Sequence, residues 1–107
     1  MASYYKNAKV DLTSTGVTTL YTAPAATTAI FKSILVADDS GSTSTITATL
    51  TDSASAVFVL FNVKATSANT TVELLTQPLV VQESEVLKVT AANANRLHVV
   101  GSFIEIS

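Results

Sequence analysis

The chain has 107 residues, 48% of them apolar, which is enough for one buried core and too little for two. Six basic against eight acidic residues leave a formal charge of −2 with no Lys/Arg cluster, so the counterion release that drives nucleic-acid binding has no source. No cysteine is present, which removes disulfides, thiolate nucleophiles and Cys-based zinc or iron–sulfur sites, and the longest apolar run, residues 56–61, falls far short of the roughly 20 residues of a membrane helix.

The start, MASYYK, has no apolar signal core, so a soluble chain without a secretion signal is expected, with neither nucleic acid nor membrane as partner. Valine, isoleucine and threonine together make up a third of the residues; these side chains are stiff at χ1 and favour strands.

In chain order, residues 6–12 alternate polar and apolar, with Ala8, Val10 and Leu12 on one face, and Ser14-Thr15-Gly16 supplies a turn. This predicts a first strand at a sheet edge. Residues 17–22 read as a short second strand that Pro24 stops, because proline has no ladder donor and fixes φ. Residues 28–37 carry Ile30, Ile34 and Val36 on one parity and Phe31 and Leu35 on the other. A central strand covered on both faces is expected there, with Lys32 needing an exit to water. After the Asp38-Asp39-Ser40-Gly41-Ser42 loop, residues 44–51 alternate strictly, with Ile46, Ala48 and Leu50 inward and Thr45, Thr47, Thr49 and Thr51 outward.

Asp52-Ser53-Ala54-Ser55 is the next turn, and residues 56–63 form a long strand with two apolar faces, which places Phe58 with Ile34 among the expected core residues. Short strands at 70–75 and 79–82 are separated by Gln77-Pro78. Residues 85–91 carry Val86 and Val89 on alternating positions interrupted by Leu87, Asn93-Ala94-Asn95 tolerates left-handed backbone, and 96–107 is the longest predicted strand. No window holds the apolar spacing of an amphipathic helix. Eight or nine short strands in one domain, 1–107, predict an all-β antiparallel β-sandwich, jelly-roll-like, with a small closed barrel as the second choice.

Chemistry-bearing residues are sparse. His98, the lone histidine, lies between Leu97 and Val99 inside the last strand with no motif around it, so a face residue is expected rather than a catalytic base. Nothing in the sequence pairs two of the eight carboxylates as glycoside hydrolysis requires. Three glycines in total cannot build a phosphate-binding loop or a nucleophile elbow. The Asp38-Asp39 loop offers hard oxygen atoms to a cation but lacks the spacing of an EF-hand or RTX repeat, and turn chemistry accounts for its residues. No catalytic residue, metal ligand or cofactor is assigned, and no enzyme is expected. Tyr4, Tyr5 and Tyr21 fit either a sugar-stacking platform or, for the first two, an arm at residues 1–6 that grips a neighbour.

Only 13% of residues are charged, about half the usual share. Outward strand positions are filled by threonine, serine and alanine, a surface poor at repelling copies of itself. Much of it is expected to be covered by protein, including identical subunits.

The segment 18–34 (TTLYTAPAATTAIFKSI), the Ser/Thr-rich strand running to Thr51-Asp52, then Glu73-Leu74-Leu75, Pro78-Leu79-Val80-Val81 and the closing Ser102-Phe103-Ile104-Glu105-Ile106 resemble small virion structural proteins of tailed bacteriophages. The resemblance spans nearly the whole chain and covers head decoration, neck, tail and fibre parts alike. It implies a location in the virion, assembly rather than catalysis, and the major capsid protein and copies of the chain itself as partners. Within it, the lack of coiled-coil heptads disfavours a long fibre, and a capsid decoration or cement protein is the favoured expectation. Tyr4, Tyr5, Lys6, Asp38, Asp39 and Ser40 are the expected interface residues, with the 65–71 loop as a further contact. A carbohydrate- or receptor-binding module is the alternative, and it requires the tyrosines beside Asp38, Asp39 or Asn93 on one exposed surface.

Overall fold

A computed structural model describes residues 2–107. Nine strands and no helix are found among them: β1 (Ser3–Leu12), β2 (Thr18–Thr22), β3 (Thr28–Asp38), β4 (Ser44–Thr51), β5 (Val57–Thr66), β6 (Thr71–Glu73), β7 (Leu79–Val81), β8 (Val86–Ala91) and β9 (Leu97–Ile106). Sheet A has the order β1-β9-β3-β6, with β7 also on β3, and sheet B has the order β2-β8-β4-β5. Every pairing is antiparallel. The two sheets enclose one core, and the fold is a β-sandwich.

The pairings nest. Strand β4 pairs β5, β3 pairs β6 and β7, β2 pairs β8, and β1 pairs β9, as in one long hairpin folded across itself. The contacts β3·β9 and β4·β8 then close each sheet, giving the wrap of a jelly roll. One position of the wrap is shared by β6 and β7, because Pro78 has no N–H to continue a ladder between them.

Strand β3 departs from the expected two-sided burial. Ala29 and Phe31 face the core, then Ile34, Val36 and Asp38 do, a change of parity. The register against β9 slips between Phe31 and Ser33, so Lys32 is an extra residue, a β-bulge that points its ammonium to water and returns Ile34 to the core. The opposite face is not covered: Ile30 is half-buried and Leu35 is exposed. Strand β8 likewise differs in phase, with Leu87, Val89 and Ala91 inward and Val86 outward.

Strand β5 lies at the edge of sheet B, and this corrects the expectation of a long core strand. Val57, Phe58, Val59 and Val63 are all more than half exposed, so Phe58 is no core residue, whereas Ile34 is fully buried. The register of β5 slips twice against β4, and Val63 holds a left-handed φ of 50°, with its N–H donating to Thr47 Oγ1 at 3.0 Å. Such kinks blunt an edge that would otherwise template further pairing.

The expected arm at residues 1–6 is also corrected. Met1 lies outside the described residues, but Ser3–Lys6 is the first four of the ten residues of β1, paired with Phe103–Ile106 of β9 in regular register. The segment is exposed on both faces as an edge strand, and Ala2 and Ser107 exchange two backbone hydrogen bonds beyond its end.

Toward one end of the core, Phe31 stacks on Phe103 with centroids 4.6 Å apart and meets Tyr21 edge-on at 5.3 Å. The Phe31 ring lies over Gly101, where a Cβ would stand 2.6 Å from Cε2. Glycine is therefore required by close approach. Gly101→Ala should cost about 1–3 kcal/mol through displacement of the ring, and Ile34→Ala about 2–5 kcal/mol by cavity formation. Phe58→Ala should cost clearly less than Ile34→Ala; urea unfolding of the three variants checks the order, and equal losses for Phe58 and Ile34 would overturn the edge placement of β5.

Candidate functional site

The six expected interface residues fall into two groups. Tyr4, Tyr5 and Lys6 lie at the start of β1, and Asp38, Asp39 and Ser40 lie at the end of β3, seven residues apart along the shared neighbour β9, or about 23 Å. They are not brought together. Tyr21 is further separated from Asp38, because it points inward against Phe31 and Phe103.

The first group is built on a carboxylate within the sandwich. Glu105 shares the inward parity of Gly101 and Phe103 on β9 and is buried. It accepts a hydrogen bond from the Tyr21 hydroxyl at 2.6 Å on Oε2 and pairs with Lys6 Nζ at 2.8 Å on Oε1. Hydrogen bonds from Lys6 and then Tyr21 outweigh burial and hold the Glu105 carboxyl below the usual range. Burial first, then the hydrogen bond to Glu105 and its charge, push the Tyr21 phenol well above 10.0. The Lys6 ammonium also sits 5.8 Å from the Tyr4 ring centroid, while Tyr5 alternates to the outer face and is 86% exposed. Period-2 alternation through Gly101, Phe103 and Glu105 was the signal for this carboxylate; the register slip in β2 between Thr19 and Tyr21 hid its phenol partner.

The second group is a turn. Asp38 is buried and its Oδ1 accepts from the Ser40 N–H at 3.1 Å and the Ser40 hydroxyl at 2.8 Å, while Oδ2 has no partner among the described residues. Asp39 points elsewhere, with Oδ1 3.9 Å from His98 Nε2, and Asp11 Oδ1 lies 3.5 Å from the same nitrogen. All three side chains of this second cluster are at least half exposed. Among the described residues no group of three or more His, Cys, Asp or Glu is placed to hold a metal ion.

Glu73 carries a structural task that the sequence did not reveal. Between its pairings with β7 and β6, β3 has a gap, and there the Ile34 N–H donates to Glu73 Oε2 at 2.8 Å. The Ser33 hydroxyl and the Leu75 N–H donate to the same carboxylate. Burial raises the Glu73 carboxyl, but donors from Ser33, Ile34, Leu75 and Leu74 outweigh it and the net direction is downward.

Among the described residues three clefts open on the surface, and one of about 240 Å³ between β1 and β9 holds the Asp11–His98 pair beside Lys9 and Val100. A polar one of about 480 Å³ is lined by Ala26, Thr27, Thr28, Ser53 and the 82–84 turn, where Glu83 accepts from the Ala26 N–H. An apolar one of about 200 Å³ lies between Leu60 and Phe61 of β5 and the 75–79 connection.

The outer face of sheet A carries two rows of paired side chains. Register places Tyr5, Ile104, Ile30 and Val80 side by side across β1, β9, β3 and β7. A second row runs Lys9, Val100, Leu35 and Glu73. The outer face of sheet B carries Thr45, Thr47, Thr49, Thr51, Lys88 and Thr90, with Val86, Val57 and Val59 beside Thr49 and Thr51. Compared with protein-family models, curated proteins and solved structures, the chain matches none.

The Lys6–Glu105–Tyr21 network sets a pH window. Glu105 has a folded value below its ordinary 4.5, so its contribution to stability is complete above 4.5 and is lost as pH falls through the lowered value. Tyr21 has a folded value above its ordinary 10.0, so its contribution is complete below 10.0 and is lost as pH rises through the raised value. Urea midpoints should therefore fall on both sides of a flat region. Glu105→Gln should shrink the acid limb, leaving the part due to Glu73, and Tyr21→Phe should shrink the alkaline limb; an acid limb unchanged in Glu105→Gln would remove the network from this role.

Proposed function

We propose that this chain is a non-enzymatic structural subunit of a virion, a capsid decoration or cement protein that stabilises the head lattice through contacts with the major capsid protein and with copies of itself. The observation that carries this reading is the surface: nine large apolar side chains stand exposed on a chain with only 14 charged residues, among them Tyr5, Leu35, Val57, Phe58, Val59 and Val80. Apolar surface on this scale marks a region meant to be covered. The resemblance of 18–34 and the later segments to tailed-phage virion proteins supplies the particle. The tyrosines and aspartates that a sugar platform needs on one surface stand at opposite ends of sheet A, so no observation favours that alternative.

Quantitative mass spectrometry of purified particles from the protein's source tests this directly. Near parity with the major capsid protein is expected. A much smaller ratio would move the chain to the neck, tail or fibre, and its absence from particles would overturn the virion reading.

A further inference from the structure

The pattern of β3 and β9 predicts burial on both sides, and the sandwich supplies only one. On the inner side lie Ala29, Phe31, Ile34 and Val36 of β3 with Val99, Gly101 and Phe103 of β9. On the outer side the same two strands place Ile30 beside Ile104 and Leu35 beside Val100. Directly opposed residues of an antiparallel pair share a face, so these apolar pairs form one surface, extended by Tyr5 on one flank and Val80 on the other. On sheet B the outward positions of β4 are all threonine, and the outward valines, Val86, Val57 and Val59, lie beside Thr49 and Thr51 at one end rather than in rows across the sheet.

We infer that the outer face of sheet A is the interface of a two-fold dimer of this chain, packed sheet against sheet; this deepens the assembly reading and rests on it. The occupant follows from self-complementarity. A two-fold axis parallel to the strands, between β9 and β3, exchanges the two flanks of the face. Tyr5 of one copy then meets Val80 of the other, Ile104 meets Ile30, and Val100 meets Leu35. Along the second row Lys9 meets Glu73, opposite charges at both ends; Lys32, on the outer side of β3 between the two rows, lies near the axis and faces its own copy, so its long side chain must carry the ammonium out to water. Stacked sheets with axes within about 30° of each other keep these rows in contact.

The area suffices. Four strands about 4.8 Å apart and about ten residues long span about 600 Å². Two such faces bury about 1,200 Å², the lower end for a specific interface. Each face is close to a tenth of the 5691 Å² surface of the chain.

Sedimentation equilibrium of the purified full chain is the test. The wild type should sediment at twice the chain mass. Tyr5→Ser and Leu35→Lys should each weaken the dimer about tenfold or more, while Thr49→Lys on sheet B and Phe58→Ser on β5 should leave it unchanged. Tyr5 is so exposed that its variant keeps the test intact even if Leu35→Lys disturbs folding, which circular dichroism shows. A monomeric or trimeric wild type would overturn the inference, as would a dimer lost in Phe58→Ser and indifferent to Tyr5→Ser. A monomer that is nonetheless abundant in particles would sink the dimer and leave the assembly reading standing, whereas a dimer absent from particles would sink the assembly reading itself.

Discussion

One inserted residue, Lys32, governs how this sandwich closes. Among the described residues β3 is the only strand that pairs with three others, β9, β6 and β7, and it must fill the core along its whole length. Strict alternation from Ala29 and Phe31 would put Ile34 and Val36 in water. The bulge moves the strand by one residue against β9 and restores them, so one strand contributes Phe31 to the aromatic cluster at one end and Ile34 and Val36 to the aliphatic core at the other. The close contact of Phe31 with Gly101 belongs to the same device. A strand that kinks toward its neighbour needs a position there without a side chain, and Gly101 stands opposite Ile34 just past the kink.

Two carboxylates complete what the strands leave open. A gap between β7 and β6 deprives the Ile34 N–H of a ladder acceptor, and an unpaired buried N–H costs about 1–3 kcal/mol. Glu73 supplies the acceptor, while the Leu74 N–H returns a bond of 2.9 Å to the Ile34 carbonyl. Glu105 works differently. It is buried near the end of the sandwich, and Lys6, reaching in from the edge strand, balances its charge while Tyr21 donates from the opposite sheet. The contact joins β1, β9 and β2, so three strands drawn from both sheets are held by one carboxylate. Ion pairs of this half-exposed kind add modest stability, but they fix register, because a one-residue slip of β1 would carry Lys6 to the other face.

Much of the fold was legible in the sequence because period-2 alternation and turn chemistry are local. The strict pattern of 44–51 became β4 with Ile46 and Ala48 buried, Pro78 divided β6 from β7, and Asn95 took a left-handed φ of 61°. What misled were the strands with apolar residues on both parities. In 28–37 the cause was a bulge, and in 56–63 it was an edge with twice-slipped register; neither leaves a local mark, since a bulge is decided by the partner strand. Residues 3–6 read as an arm because Tyr4 and Tyr5 stand at the start of the chain ahead of the alternating stretch, yet an edge strand with both faces exposed carries the same lack of pattern. The carboxylate network escaped for a related cause: Glu105 and Tyr21 are 84 positions apart, and only the wrap of the chain brings them within 2.6 Å.

The edges and faces of the molecule divide the task of association between them. Strand edges offer open-ended pairing, since a strand added to an edge presents a new edge. Here β5 is kinked by two slips and a left-handed Val63, and the opposite margin of sheet A is broken into β6 and β7, so neither presents a long flat ladder. Pairing by edges is thereby discouraged on that side. A face related to itself by a two-fold axis closes after one partner and leaves the rest of the surface for a lattice. Sheet A has apolar rows across one face, whereas the outer face of sheet B mixes threonines with Lys88, Val86 and the exposed Val57 and Val59. A chain with so few charges has little long-range repulsion to keep copies apart, and β1, ten residues in unbroken register at the other edge of sheet A, is the one long edge that the kinks do not blunt among the described residues.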